Sequence, residues 1–468
     1  MAGKSPSRAT GSGKPDTTKD EKTRAAEAKT AALGVKAVEV SHDYGGKLEV
    51  LPQVPIAGLD AFAYLYTPGI AQVSREIAKD PEKSFELTGR WNTIGIVTDG
   101  SRVLGLGDIG PRASLPVMEG KALLFKFLGG VNAFPLPLQI NNGDEIVETV
   151  KRLEPALGGV NLEDISSPKC FDVLEKLQKS LNIPVWHDDQ LGTAAATVAG
   201  LMNALEITGK KFETANLVVL GSGAANVATV RLLKACGADM GGMIVIDSKG
   251  IMSAQREDME KMKIQNRWKH EIAVTTNDSG KKGGMKEAMV GADAIICAST
   301  PDPNTVKPEW IRTMNKNPTV FALANPVPEI WPAVAKDAGA AVVATGRSDF
   351  PNQVNNSLVF PPVFRGVLDA RAKGIPDDVV IMAAKALAKG AAIKGLTPDH
   401  ILPTMDEEDA FPAIAVAVAL KTEEVGLARV HRSRAEYEQS AKSMLSRQRK
   451  IMKLFMEQGL ITPSFKKA

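Results

Sequence analysis

Two acidic pairs mark the chain: Glu163-Asp164 in GGVNLEDI and Asp188-Asp189 in VWHDDQLGTA. Each follows a short apolar approach, Val160 and Leu162 before the first, Ile183 to Trp186 before the second. Several unpaired carboxylates cannot enter a fold interior, because desolvating them costs too much. A divalent cation is the natural partner, since hard cations such as magnesium take oxygen ligands. A glycine-rich turn follows a few dozen residues later, and a metal beside a dinucleotide points to redox chemistry on a small acid.

That turn, Gly221-Ser222-Gly223-Ala224-Ala225-Asn226, follows the apolar strand Leu217 to Leu220 and opens a helix. The first glycine permits a tight turn, the second lets the backbone approach a pyrophosphate, and the helix N-terminus offers unpaired N–H groups to the phosphates. Asn226 stands where the dinucleotide fingerprint has Gly or Ala. Asp247 ends the next strand, 26 residues beyond Gly221, where a carboxylate can accept ribose hydroxyls. A carboxylate there repels a 2′-phosphate and favours NAD, whereas Lys249 offers a charge that could accept one; the balance leans to NAD over NADP. Gly105 to Gly110 also fits the spacing, but Pro111 and Pro116 interrupt the next turn and no acid follows a second strand. It reads as a crowded loop beside a site.

Elements to position these groups can be read from periodicity. Ile70 to Lys79 reads as a helix ending at Asp80-Pro81. Thr93 to Thr98 and Ser101 to Leu106, around Asp99-Gly100, read as a hairpin. A helix is expected over 117–128, a strand over Phe134 to Ile140, a helix over Asp144 to Arg152 and an Ala-rich buried helix over Gly192 to Ile207. From Asn216 strands and helices alternate, through MIVIDSKG, AVTT, ADAIICAST, PTVFALANP and AAVVATG, which argues for a parallel sheet covered on both faces. The expected fold class is α/β. A substrate domain spans 34–190, a Rossmann-like doubly wound dinucleotide domain spans 191–425, and a basic helical extension spans 426–468. Residues 1–33 read as a disordered polar arm.

The 468-residue length allows two to four domains, and 44% hydrophobic with 24% charged residues suits an ordinary globular chain. The net charge is +3, and the first 30 residues alone carry seven Lys/Arg against four Asp/Glu, so no nucleic-acid surface is expected. Cys170, Cys236 and Cys297 lie far apart without a CxxC motif, which suits a reducing, cytoplasmic setting. No apolar run is long enough to span a membrane.

YTPGIA (66–71), DGSRVLGLGDIG (99–110), PVMEGKALL (116–124), NLEDI (161–165), HDDQLGTA (187–194), GSGAAN (221–226) and ANP (324–326) together resemble the malic enzymes, in their prokaryotic form. The resemblance implies metal-dependent oxidative decarboxylation of (S)-malate to pyruvate and CO2 with reduction of NAD or NADP, and a Mg or Mn ion on Glu163, Asp164 and Asp189. It also implies Lys121 as general base, Tyr66 as general acid, Arg102 on a substrate carboxylate and Asn325 and Asn355 on the substrate. Asn325 would also border the cofactor, with Gly221, Gly223, Ala224, Ala225, Asn226 and Asp247. A homodimer or dimer of dimers is implied, with malate and pyruvate as ligands and neither nucleic acid nor membrane as partner.

A lysine begins about four units above neutral and needs desolvation or cationic neighbours to serve as base. Plainer readings stand beside these roles. Lys121 next to Glu119 also fits a surface ion pair, Tyr66 a core aromatic among Phe62, Tyr64 and Leu65, and Arg102 a partner of Asp99. The acidic pairs also fit helix caps, Asp188 above all. A malolactic-type decarboxylase giving lactate would use the same residues. A scaffold derived from the enzyme would instead use the segment from Val430 to Lys467, which has nine Lys/Arg against three Glu.

Overall fold

The computed structural model describes residues 17–461. The described residues fall into two units, 17–47 with the helix Thr17–Tyr44 in one and 48–461 in the other. The helix covers 17–33 of the stretch read as a polar arm, and residues 1–16 of that arm lie outside the described range. No proline interrupts Thr17–Tyr44, and alanine, lysine and glutamate, all strong helix formers, dominate it.

Two parallel sheets organise the larger unit. The first contains β1 (Thr93–Thr98), β2 (Asn132–Pro137), β3 (Gly159–Leu162) and β4 (Val185–His187), in the order β2-β1-β3-β4. The second contains β5 (Leu217–Leu220), β6 (Ile244–Asp247), β7 (Gly250–Ile251), β8 (Ala294–Cys297), β9 (Thr319–Ala322) and β10 (Val342–Thr345), in the order β10-β9-β8-β5-β6-β7. Only the short β7 runs antiparallel in it. Strands β3, β5, β8 and β9 are buried at every position, as parallel strands covered on both faces must be. The Rossmann-like α/β expectation therefore holds. In each sheet the connections leave two adjacent strands in opposite directions, β1 and β3 in the first, β5 and β8 in the second. Ligand crevices in open α/β sheets lie beyond the carboxyl ends of such strand pairs.

Three local expectations differ. Ser101 to Leu106 is not a strand: the Val103 N–H donates to the Gly107 carbonyl at 2.9 Å, and Ile109 and Gly110 both donate to the Gly100 carbonyl at 3.2 Å, closing a loop. Gly100 has a φ of +69°, and a side chain there would overlap the Gly110 backbone. Pro111 and Pro116 do not stop the next helix, which spans Gly110–Gly129 with Pro111 in its first turn. AVTT, expected as a strand, closes the helix Arg267–Thr275. Residues 377–424, rich in alanine, fold as two helices, Asp377–Lys394 and Ala410–Glu424, before the helix Arg434–Glu457.

Candidate active site

The helix Gly110–Gly129 buries Met118, Lys121, Ala122, Phe125 and Leu128, one stripe at helical spacing. Lys121 thus enters the interior on an apolar face. Its ammonium lies 2.5 Å from Asp188 Oδ2 and 2.9 Å from Glu163 Oε1, and 4.6 Å above the Phe360 ring. The plain reading of a surface pair with Glu119 is excluded by this burial. Burial opposes the lysine's charge, but Asp188 and Glu163 outweigh it and hold Lys121 protonated above its ordinary range. The base expected to sit near neutrality is therefore a firmly charged ammonium in this arrangement.

Glu163 follows β3, and its N–H donates to the Val97 carbonyl of β1 at 2.9 Å, fixing it at the switch point of the first sheet. Asp164 takes a φ of +54°, a conformation that an acidic side chain tolerates better than most. That turn aims its N–H at Asp189 Oδ2, 2.9 Å away. Ligand atoms of Glu163, Asp164 and Asp189 lie within 4.8 Å of one another. Asp188, its neighbour in the pair, faces the other way: Oδ1 accepts from the Trp186 indole at 3.1 Å and Oδ2 from Lys121. A π-helical turn over Asp188–Gly192 separates the two carboxylates, and any side chain at Gly192 would overlap Asp188.

Four carboxylates (Glu163, Asp164, Asp188, Asp189) against one ammonium leave a formal charge of −3, which a divalent cation would reduce to −1. Burial and then the neighbouring Asp189 push Asp164 up to about 8. Its Oδ2 is buried with no hydrogen-bond partner, as is Asn161 Oδ1, while Asn161 Nδ2 donates to Glu163 at 2.9 Å. A set of convergent oxygen donors with an orphaned buried oxygen fits a hard cation.

The second crevice carries the dinucleotide turn. Gly221 has a φ of +106°, and a Cβ there would lie 2.6 Å from the Ala298 carbonyl. Asn226, the departure from the fingerprint, is buried and donates to the Leu220 carbonyl at 2.7 Å and to Gly221 at 3.2 Å. It braces the turn from within. Gly223, Ala224 and Ala225 open the helix Ala224–Ala235, with open space at the Gly223 Cβ position. Asp247 at the end of β6 is not a free acceptor. Oδ1 takes the Lys249 N–H and Arg256 Nη1, each at 2.9 Å, and Oδ2 lies 3.2 Å from Lys269 Nζ.

The two crevices meet. A Cβ on Gly105 would stand 2.9 Å from the Asn325 carbonyl oxygen, and one on Gly346 2.6 Å from Asn325 Nδ2. Asn355 Nδ2 donates to the Gly346 carbonyl at 3.3 Å, so both asparagines converge on Gly346. The expected crowding of the loop at 105–110 is found at Gly105 alone, since a Cβ at Gly107 or Gly110 would meet open space.

Arg102 and Tyr66 stand apart from the plain readings. Asp99 pairs with Lys169 and accepts from Ser101, not from Arg102. Arg102 is exposed, its N–H donates to the Asp164 carbonyl at 3.0 Å, and its charge is felt by Asp189. Tyr66 is 67% exposed, so it is no core aromatic, and none of the ion pairs of the carboxylate cluster reaches it.

Several residues carry little mark in the sequence. Asp188 reads there as a helix cap, and only the fold reveals its partner. His187 is fully buried, neither ring nitrogen makes a hydrogen bond, Nδ1 lies 3.7 Å from Asp189 Oδ2, and burial pushes the imidazole down to about 3; its place directly before the acidic pair is the available signal. Arg256 lies in the polar turn after β7 and Lys269 in the helix Arg267–Thr275, and neither carries a sequence signal.

Residues 45–178 match the family model of the malic enzyme N-terminal domain, and residues 191–423 that of the malic enzyme NAD binding domain. The chain is 46% identical over 385 residues to the bifunctional malic/malolactic enzyme of Bacillus subtilis, covering 82% of this chain and 92% of that one. It is 43% identical over 401 residues to the NAD-dependent malic enzyme of Geobacillus stearothermophilus, covering 85% and 82%. The crystal structure of Entamoeba histolytica malic enzyme superposes with a TM-score of 0.91 at 42% identity, covering 94% of this chain and 92% of that one.

Proposed function

The chain belongs to the malic enzyme family, and from that premise we propose that it oxidatively decarboxylates (S)-malate to pyruvate and CO2 while reducing NAD(P). The observation that carries this reading is the meeting of Glu163, Asp164 and Asp189 beside Lys121 in one crevice, with Asn325 packed on the Gly105 loop and Ala298 on the Gly221 turn.

A divalent cation, Mg or Mn, held by Glu163, Asp164 and Asp189 would supply Lewis-acid polarisation of substrate oxygens, and NAD or NADP on the Gly221 turn would supply the hydride acceptor. Lys121 is the group that takes the proton of the C2 hydroxyl. It can do so only as the free amine, so the charges of Asp188 and Glu163 that now hold its proton must be partly offset. Neutralising Glu163 removes one of the two. Arg102 receives a substrate carboxylate through its planar fork. Asn325 and Asn355 orient the substrate from the Gly346 side. Tyr66 returns a proton to C3, a role that requires its exposed segment to approach the cluster.

Assembly as a homodimer or dimer of dimers belongs to the same reading. Support comes from exposed apolar side chains along Leu48 to Ile70, among them Val50, Leu59 and Tyr64. Three free thiols favour a reducing, cytoplasmic setting, and among the described residues no helix is long and apolar enough to cross a membrane.

The deciding experiment incubates the chain with (S)-malate, Mn and either dinucleotide. A rise in reduced-cofactor absorbance with pyruvate formation supports the proposal. Lactate without that rise would give the malolactic outcome, which the name of the Bacillus subtilis relative makes worth the assay. Neither product, with intact folding, would leave the scaffold reading.

A further inference from the structure

Glu329 is a fully buried acid that the chemistry above does not use. Its carboxylate spans two loops at the carboxyl ends of adjacent strands. Oε1 accepts from the Ser299 N–H at 2.7 Å and the Ser299 hydroxyl at 3.1 Å, just beyond β8. Oε2 accepts from the Ala324 N–H at 3.0 Å, just beyond β9. Its own carbonyl takes the Val306 N–H at 3.0 Å, tying in a third segment. Every one of these side-chain contacts is a donor, so the carboxylate serves them all as an acceptor, which the ionised form does best.

Each clamped loop touches one side of the crevice. Ser299 follows Ala298, whose carbonyl closes on Gly221 so tightly that no Cβ fits between them. Ala324 precedes Asn325, whose carbonyl backs onto Gly105 and whose amide lies against Gly346. A shift of the Ser299 loop therefore displaces the dinucleotide turn, and a shift of the Ala324 loop displaces Asn325. Burying a carboxylate is costly, and its three donors sit where positional accuracy matters rather than across the core.

We propose that Glu329 is a positioning residue that locks the Gly221 turn and Asn325 into one register, so that dinucleotide and malate are held together. The proposal rests on the reading of the Gly221 crevice as the dinucleotide site.

In the full-length chain, Glu329→Gln offers one oxygen and one amide group to two backbone donors, so one loop is released. NADH and NADPH binding, followed by nicotinamide fluorescence, is expected to weaken about tenfold, the loss typical of a charge-assisted hydrogen bond, with kcat for malate falling alongside. Asp293→Asn is the control. Asp293 accepts from Asn216 N–H at 2.9 Å at the opposite end of the same sheet, so Asp293→Asn should lower thermal stability and leave dinucleotide affinity unchanged. Equal stability losses in the two variants, with wild-type dinucleotide affinity in both, would overturn the proposal. Should E329Q fail to fold, Glu329→Asp decides: its shorter carboxylate reaches one loop only, and wild-type affinity in it would be equally fatal. Wild-type protein that binds neither NADH nor NADPH would instead remove the dinucleotide reading itself.

Discussion

Lys121 and Asp188 form a buried ion pair of 2.5 Å across 67 residues of sequence. The pair splits the second acidic doublet, because Asp188 faces the ammonium while Asp189 faces Glu163 and Asp164. Gly192 leaves room for Asp188, and Trp186 satisfies its other oxygen, so the carboxylate is fully committed before any ligand arrives. The proposed base is thus oriented by a group that stays outside the cation-binding set.

Replacing Lys121 with alanine should lower kcat by roughly 10²–10⁴-fold, the usual weight of a positioned acid or base. Malate and Mn should still bind, because Arg102 and the three carboxylates are untouched. Steady-state kinetics together with a Mn titration would check both halves, and near-normal turnover would refute the base role.

Asp189→Ala should weaken Mn affinity by at least about 10–100-fold, a loss that even partners outside the ligand set can cause. Its oxygen also accepts the Asp164 N–H, so the variant loosens the turn carrying a second ligand. Calorimetric titration with Mn reads this directly. An unaltered isotherm would remove Asp189 from the cation site.

Stability should depend on pH when no cation is bound. Asp164 rises from 3.8 to about 8 because burial, and then Asp189, disfavour its charge. The folded chain therefore holds this proton more tightly than the unfolded one. That contribution is fully present below about pH 4 and fades as pH rises through 8. The melting temperature with chelator should fall relative to the Mn-loaded chain across this window. A gap that stays constant from pH 5 to 8 would contradict the assignment.

Much of this arrangement is legible in the sequence because local rules agree with the fold. Lys121 sits on the same helical stripe as Met118, Ala122 and Phe125, and the acidic pairs end apolar strands. Pairings set by sheet topology are not legible. Asp188 meets Lys121 only because β4 lies at the sheet edge beside β3, and the neighbour Asp99 suggested for Arg102 is taken by Lys169 instead. The Asp99-Gly100 turn suggests a hairpin with a strand at 101–106, but the close approach of Gly100 and Gly110 closes a loop before a ladder can form. Asp247 is recognisable as the terminal acid of its strand, but the two cations that occupy it come from later, less patterned segments.

That occupancy bears on the choice of dinucleotide. A free carboxylate at Asp247 would repel a 2′-phosphate, and the lean to NAD depends on it. Here Arg256 and Lys269 neutralise Asp247, while Arg256 also bridges to Asp258 at 2.8 and 2.9 Å. Two carboxylates against Arg256, Lys249 and Lys269 leave the rim at a formal +1, and Lys249, 60% exposed, is its most accessible cation. The chain should therefore accept NADP, with Lys249 meeting the 2′-phosphate. Lys249→Ala should raise the Kd for NADPH about tenfold and leave that for NADH unchanged, the loss of one charge-assisted contact. Binding of 2′,5′-ADP compared with 5′-AMP isolates the same contact without the nicotinamide. Equal effects on both reduced dinucleotides would show that Lys249 acts on the fold of the rim, and the preference for NAD would stand.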